Sequence, residues 1–168
     1  MSGQHYASTR DEIEHLVQHY RIPAPRFHEV GKMQWPSILS TITQTFIMSS
    51  HAGSESALMR GYNHLQEPHV SYQVGTEGYR EIAKLIDRTE QVWFLAPERF
   101  YSGKQYWVYE AYVDVIQWII EQTGMTEYYI VSKKLQWLLC ETHHEVIIGT
   151  GEPISGRIQK RKKELDDV

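Results

Sequence analysis

Two adjacent imidazoles lie between two carboxylates in the segment Glu141-Thr142-His143-His144-Glu145. These are the side-chain types that ligate a metal ion or shuttle a proton, set among apolar runs. Adjacent residues on a strand point to opposite faces, so His143 and His144 would bind one ion together only if a turn relaxed that alternation. A metal site here would use His143 or His144 with Glu141 or Glu145 and further ligands from the loop-rich middle, where His51, His64 and His69 are available. None of the spacings matches paired CxxC or HExxH. The bland alternative is a hairpin turn with one imidazole packed and the other in solvent.

Other candidates are weaker. His15 and His19 stand one helical turn apart near Glu12, a spacing that suits a metal clamp or a solvated helix side. Cys140, the only cysteine, sits inside an apolar strand pattern, so it reads as a buried thiol and can form no intramolecular disulfide. No GxSxG elbow occurs. Gly149-Thr150-Gly151-Glu152-Pro153 lacks the GxGxxG pattern and the Walker lysine, and reads as a turn. Residues 98–107 mix aromatic and polar side chains. Within them Arg99, Phe100, Tyr101, Tyr106 and Trp107 are of the types enriched where proteins bind proteins.

Three apolar runs surround the histidine pair in EYYIVSKKLQWLLCETHHEVIIGTG, residues 127–151. They read as three strands of an antiparallel meander, turning at Ser132-Lys133-Lys134 and at the histidines. In the middle run Leu135, Trp137 and Leu139 share one face and Gln136, Leu138 and Cys140 the other, which predicts a central strand covered on both sides. This 25-residue block resembles small uncharacterised bacterial cytosolic proteins with a strand, a turn, a Trp-Leu strand and a His-His-acid turn. The resemblance implies no activity. In size and composition the chain also resembles bacterial toxin-immunity proteins, which act by covering a partner.

Upstream, Thr9 with Glu12 suggests a capping box for a helix carrying Ile13, Leu16, Val17 and Tyr20, stopped by Pro23 and Pro25. A second helix begins near Pro36, and a short one is expected over residues 55–62. Residues 70–74 alternate like a strand. Thr76 is a cap candidate for a helix to about Asp87, and residues 91–96 form a strand before Pro97. Residues 106–123 are apolar nearly all round and read as one buried helix ending at Gly124, with Glu110 and Asp114 one turn apart. If the strands at 91–96 and 128–132 run parallel, that helix is their crossover.

The expected fold class is α+β: a single domain, a mainly antiparallel mixed sheet with packed helices and a C-terminal three-strand meander. Residues 1–8 read as a flexible N-terminus, 9–154 as the domain, and 155–168 as a peripheral charged C-terminal helix whose apolar pair is Ile158 and Leu165. At 168 residues and 41% hydrophobic the chain suits one core. The formal charge is −4. Residues 155–168 carry five bases against three acids, leaving twelve bases and eighteen acids elsewhere. That balance argues against a nucleic-acid binder and for a protein partner with a basic surface. No signal-peptide core or membrane span is apparent, which implies a cytoplasmic protein. No cofactor is expected. The leading reading is a non-enzymatic immunity- or inhibitor-type binding protein; the alternative is a small metal-dependent hydrolase centred on His143 and His144.

Overall fold

A computed structural model of the chain describes residues 5–48, 55–59, 61–100 and 106–167. Its strands are β1 (Phe27–Glu29), β2 (His69–Gln73), β3 (Gln91–Pro97), β4 (Tyr106–Tyr112), β5 (Tyr128–Ser132), β6 (Leu138–Thr142) and β7 (Val146–Thr150). Its helices are α1 (Thr9–His19), α2 (Trp35–Phe46), α3 (Ile82–Leu85), α4 (Val113–Thr123) and α5 (Ile154–Asp166), with 3₁₀ turns at Glu55–Leu58, Gly61–Asn63 and Gly78–Glu81. The strands form one sheet in the order β1-β4-β3-β5-β6-β7-β2, and every ladder in it is antiparallel. The α+β class, the mainly antiparallel pairing and the final meander β5–β6–β7 are thus as expected; the sheet is not mixed, since no parallel ladder occurs among the described residues.

Both faces of this sheet are apolar, and period-two alternation sorts its residues. Val92, Phe94, Tyr109, Ala111, Tyr128, Ile130, Leu139 and Ile147 face one core, which α1, α3, α4 and α5 cover with Ile13, Ile82, Ile116, Ile119 and Ile158. Leu95, Val108, Tyr129, Val131, Leu138 and Cys140 face a second core, covered by Leu39, Ile42 and Phe46 of α2 together with Leu58 and Leu65. The result is helices, sheet, helix: three layers.

This double burial explains the one large misreading. Residues 106–123 are a strand followed by a helix, and a strand covered on both faces is as uniformly apolar as a buried helix. Tyr106 and Val108 go to the second core while Trp107, Tyr109 and Ala111 go to the first, and aromatic and β-branched residues favour the extended form. β4 pairs with β3 as a hairpin, so β3 and β5 are antiparallel neighbours and the suggested parallel crossover between them is absent. Instead α4 links β4 to β5, which lie on either side of β3. Glu110 and Asp114, on different elements, each find a cation: Lys133 at 2.7 Å and Arg26 at 2.5 Å.

Smaller corrections concern helix ends. Ser8, not Thr9, caps α1, accepting from the Asp11 amide at 3.0 Å. The helix drawn from Thr76 to Asp87 is a 3₁₀ turn running into the single turn of α3. The C-terminal helix is charged outside but docked: Ile154 and Ile158 are fully buried, and a Cβ built at Gly149 would overlap Ile158. Arg161 adds an ion pair to Glu81 at 2.6 Å, and Arg157 donates to the Leu85 carbonyl at 2.8 Å.

Trp137, just ahead of β6, is 2% exposed and packs with Leu139 in the first core, whereas Leu135 sits in the preceding turn at φ 56° and packs on the second. Trp137→Ala should destabilise the fold by about 3–5 kcal/mol. Urea unfolding checks this, and a loss under about 1 kcal/mol would rule out a core role.

Candidate functional site

The histidine turn is a three-residue connection. Thr142 pairs with Val146, the Glu145 amide donates to the Thr142 carbonyl at 2.9 Å, and Glu145 occupies the left-handed corner at φ 59°. The His143 Nδ1 lies 2.9 Å from Glu127 Oε1 and 3.2 Å from the Tyr62 hydroxyl. The His144 ring leans on it at 4.0 Å between centroids, tilted by 44°. Both imidazoles are exposed.

Glu141 goes the other way. It lies on the first-core side of β6, across from Tyr128 of β5, whose hydroxyl donates to Glu141 Oε2 in a very short bond. The residue is 7% exposed. The glycine at position 78 leaves room for this carboxyl: a Cβ there would overlap Glu141 Oε1 and Val74 Cγ2 unless those side chains shifted. Glu141, Glu145 and Glu121 line a cleft of about 130 Å³ with Thr76 and Tyr79. Burial pushes the Glu141 carboxyl up to about 7; the Tyr128 hydroxyl opposes that shift and the nearby Glu145 adds to it.

The metal site drawn over His143, His144, Glu141 and Glu145 is therefore not assembled. The pleat sends Glu141 inward while His143 turns outward to Glu127, and no group of three or more His, Cys, Asp or Glu that could hold an ion occurs among the described residues. His69 opens edge strand β2 opposite Thr150, at the end of β7 away from the turn. His51 lies outside the described residues. Cys140 is fully buried in the second core, where burial raises its thiol far above the ordinary range.

Among the described residues of the 98–107 segment, Glu98, Arg99, Tyr106 and Trp107 commit polar atoms to the fold. Glu98 accepts from the Thr9 amide (2.9 Å) and hydroxyl (3.2 Å), the Phe100 amide (2.7 Å) and the Trp107 indole (2.7 Å). Burial alone would raise its carboxyl; these donors outweigh it and hold the carboxyl below the ordinary value. Arg99 donates to the Thr123 carbonyl at 2.8 Å, at the C-terminal end of α4, and pairs closely with Glu12 on α1. The buried Tyr106 donates to the Leu58 carbonyl at 3.1 Å, a core position instead of a surface one. Phe100 is half-buried beneath the Arg99 guanidinium. Tyr101 lies outside the described residues.

A surface that the sequence only half announced lies on α1 and α4. Tyr6 meets His15 (5.8 Å), His15 stacks on His19 (5.8 Å), His19 meets Tyr20 edge-on (4.8 Å), and Tyr20 meets Trp118 of α4 edge-on (4.8 Å). Tyr20 is 55% exposed. The i, i+4 histidines were legible as a pair; Trp118, a hundred residues away, was not.

These features define a single-domain α+β protein with a two-faced sheet. The chain belongs to a family of unknown function, DUF6756, whose model matches residues 5–162. No curated protein and no solved structure matches it. No described helix is long and apolar enough to cross a membrane.

Glu141 gives the site a pH signature. Its folded value, about 7, lies above the ordinary 4.5, so folding favours the protonated form. That contribution is complete below about pH 4.5 and is lost as pH rises through about 7, on the order of 3 kcal/mol. Glu81, lowered to about 2 against its own burial by Arg161, Lys84 and Tyr72, acts in a separate window: its contribution is lost only as pH falls below the ordinary 4.5 toward 2. Urea unfolding of the native chain should therefore show stability declining from about pH 5 to about pH 8, and Glu141→Gln should flatten that decline. An unchanged slope in the variant would assign the effect elsewhere.

Proposed function

We propose that this chain is a non-catalytic protein-binding module of the immunity or inhibitor type, contacting a partner with a basic surface through the outer face of α1 and α4. The aromatic row from Tyr6 to Trp118 carries the reading. Tyr, Trp and His rings in mutual contact offer a large, stiff area at low entropic cost, and such side chains dominate binding energy at interfaces. Arg99 and Phe100 stand at one end of the same helix pair, by Glu12 and Thr123; Tyr20 and Trp118 stand toward the other. Beside Trp118, the Arg26–Asp114 pair places a guanidinium 5.3 Å from the Tyr112 ring. Exposed Glu121 on α4 supplies an acidic group for a basic partner, consistent with the excess of acids before residue 155.

In this reading carboxylates steer the encounter and aromatics hold the complex. A photoreactive phenylalanine analogue in place of Tyr20, in cells that express the chain naturally, should give one discrete protein adduct. The same analogue in place of Thr41, exposed on α2 at the opposite layer, should not. Trp118→Ala should abolish the adduct, and higher salt should slow its formation, since charges are screened over about 10 Å at 0.1 M. Equal labelling from positions 20 and 41 would refute the assignment.

A further inference from the structure

Under α1, on the side away from the aromatic row, a cavity of about 250 Å³ opens between the helix and the β1–β4 corner of the sheet. Ile13, Val17, Ile22 and Phe27 give it an apolar wall. Its polar lining is Arg10, Glu14, His28, Glu29 and Tyr109. Tyr109 lines it and is 3% exposed, yet the Tyr109 hydroxyl has no hydrogen-bond partner among the described residues. Folding does not account for that hydroxyl: phenylalanine would fill the position without the roughly 1–3 kcal/mol cost of an unpaired buried polar group. Arg10, also on the wall, is shared by two carboxylates, Glu29 at 2.6 Å and Glu14 at 3.5 Å. One guanidinium against two carboxylates leaves a surplus negative charge at the cavity. His28 does not neutralise it through Nδ1, which is 3.0 Å from the Ala24 carbonyl.

An apolar wall with a few convergent polar groups is how small-ligand pockets are built, and about 250 Å³ lies just below their usual range of about 300–1,000 Å³. We propose that this cavity binds a small primary amine with a compact apolar body. The body packs against Ile13, Val17 and Phe27. The ammonium balances the surplus carboxylate of Glu14 and gives the Tyr109 oxygen the donor that it lacks. A carboxylate ligand would meet Glu14 and Glu29 with like charge and is disfavoured. This site uses the inner side of α1 and is independent of the protein-binding reading, which uses the outer side.

The test is an NMR titration of the full chain with 2-phenylethylamine, and with 3-phenylpropionate as the oppositely charged probe. The amine should saturably shift the amide signals of residues 10–17 and 27–29 and bind at least about tenfold more tightly than the acid, the scale of one charge-assisted hydrogen bond. Tyr109→Phe and Glu14→Gln should each weaken amine binding several-fold with the spectrum otherwise retained, and Val17→Trp should block it by filling the cavity. Absence of saturable shifts, equal affinity for the acid, or unaltered amine affinity in both Tyr109→Phe and Glu14→Gln would overturn the proposal. If Val17→Trp does not fold, the other two variants decide.

Discussion

The sheet must bury both of its faces, and most of the molecule answers to that constraint. Strands β5 and β6 have no solvent side, so every polar group on them needs a partner within the protein. The hydroxyls of Tyr106 and Tyr129 both end on the Leu58 carbonyl, which ties the short 3₁₀ turn to the second core. Glu141, on the opposite face, has the Tyr128 hydroxyl and a glycine-lined gap. Helices are needed on both sides for the same reason, and α2 with its neighbouring turn is the minimal cover for the second core.

Glu98 performs a related task at the end of β3. One carboxylate collects four donors from the start of α1, the following loop and the β4 tryptophan, so it fixes where α1 leaves the sheet. Arg99 extends that fixture to the end of α4. The outer face of α1 and the cavity beneath it both depend on this anchor, because a helix held at its N-terminus by several part-buried hydrogen bonds keeps its register over the sheet. The aromatic row and the Tyr109 cavity are thus two sides of one positioned element.

The histidine turn shows how the pleat decides chemistry. Four ligand-type side chains within five residues look like a cluster when written in a line. Alternation sends Glu141 below the sheet, and the turn gives His143 to Glu127 and Tyr62. The carboxylate that was flanking punctuation in the sequence becomes a carboxyl that burial raises to about 7, while the histidines stay in solvent.

Local pattern by itself determined a good part of this protein. The meander of β5, β6 and β7, the strand at 91–97, the helices at 9–19 and 35–46, and the burial of Trp137 and Cys140 all follow from periodicity and turn residues, which act within a few positions. Tertiary structure decided the rest. The division of residues 106–123 into β4 and α4 depends on a second core that only α2 and Leu58 create, because uniform apolarity does not distinguish a two-faced strand from a buried helix. The partners of Glu98, Glu141 and Arg99 and the meeting of Tyr20 with Trp118 each join residues of different elements. Their chemistry is set by burial and proximity, which are properties of the packed molecule and have no counterpart in local spacing.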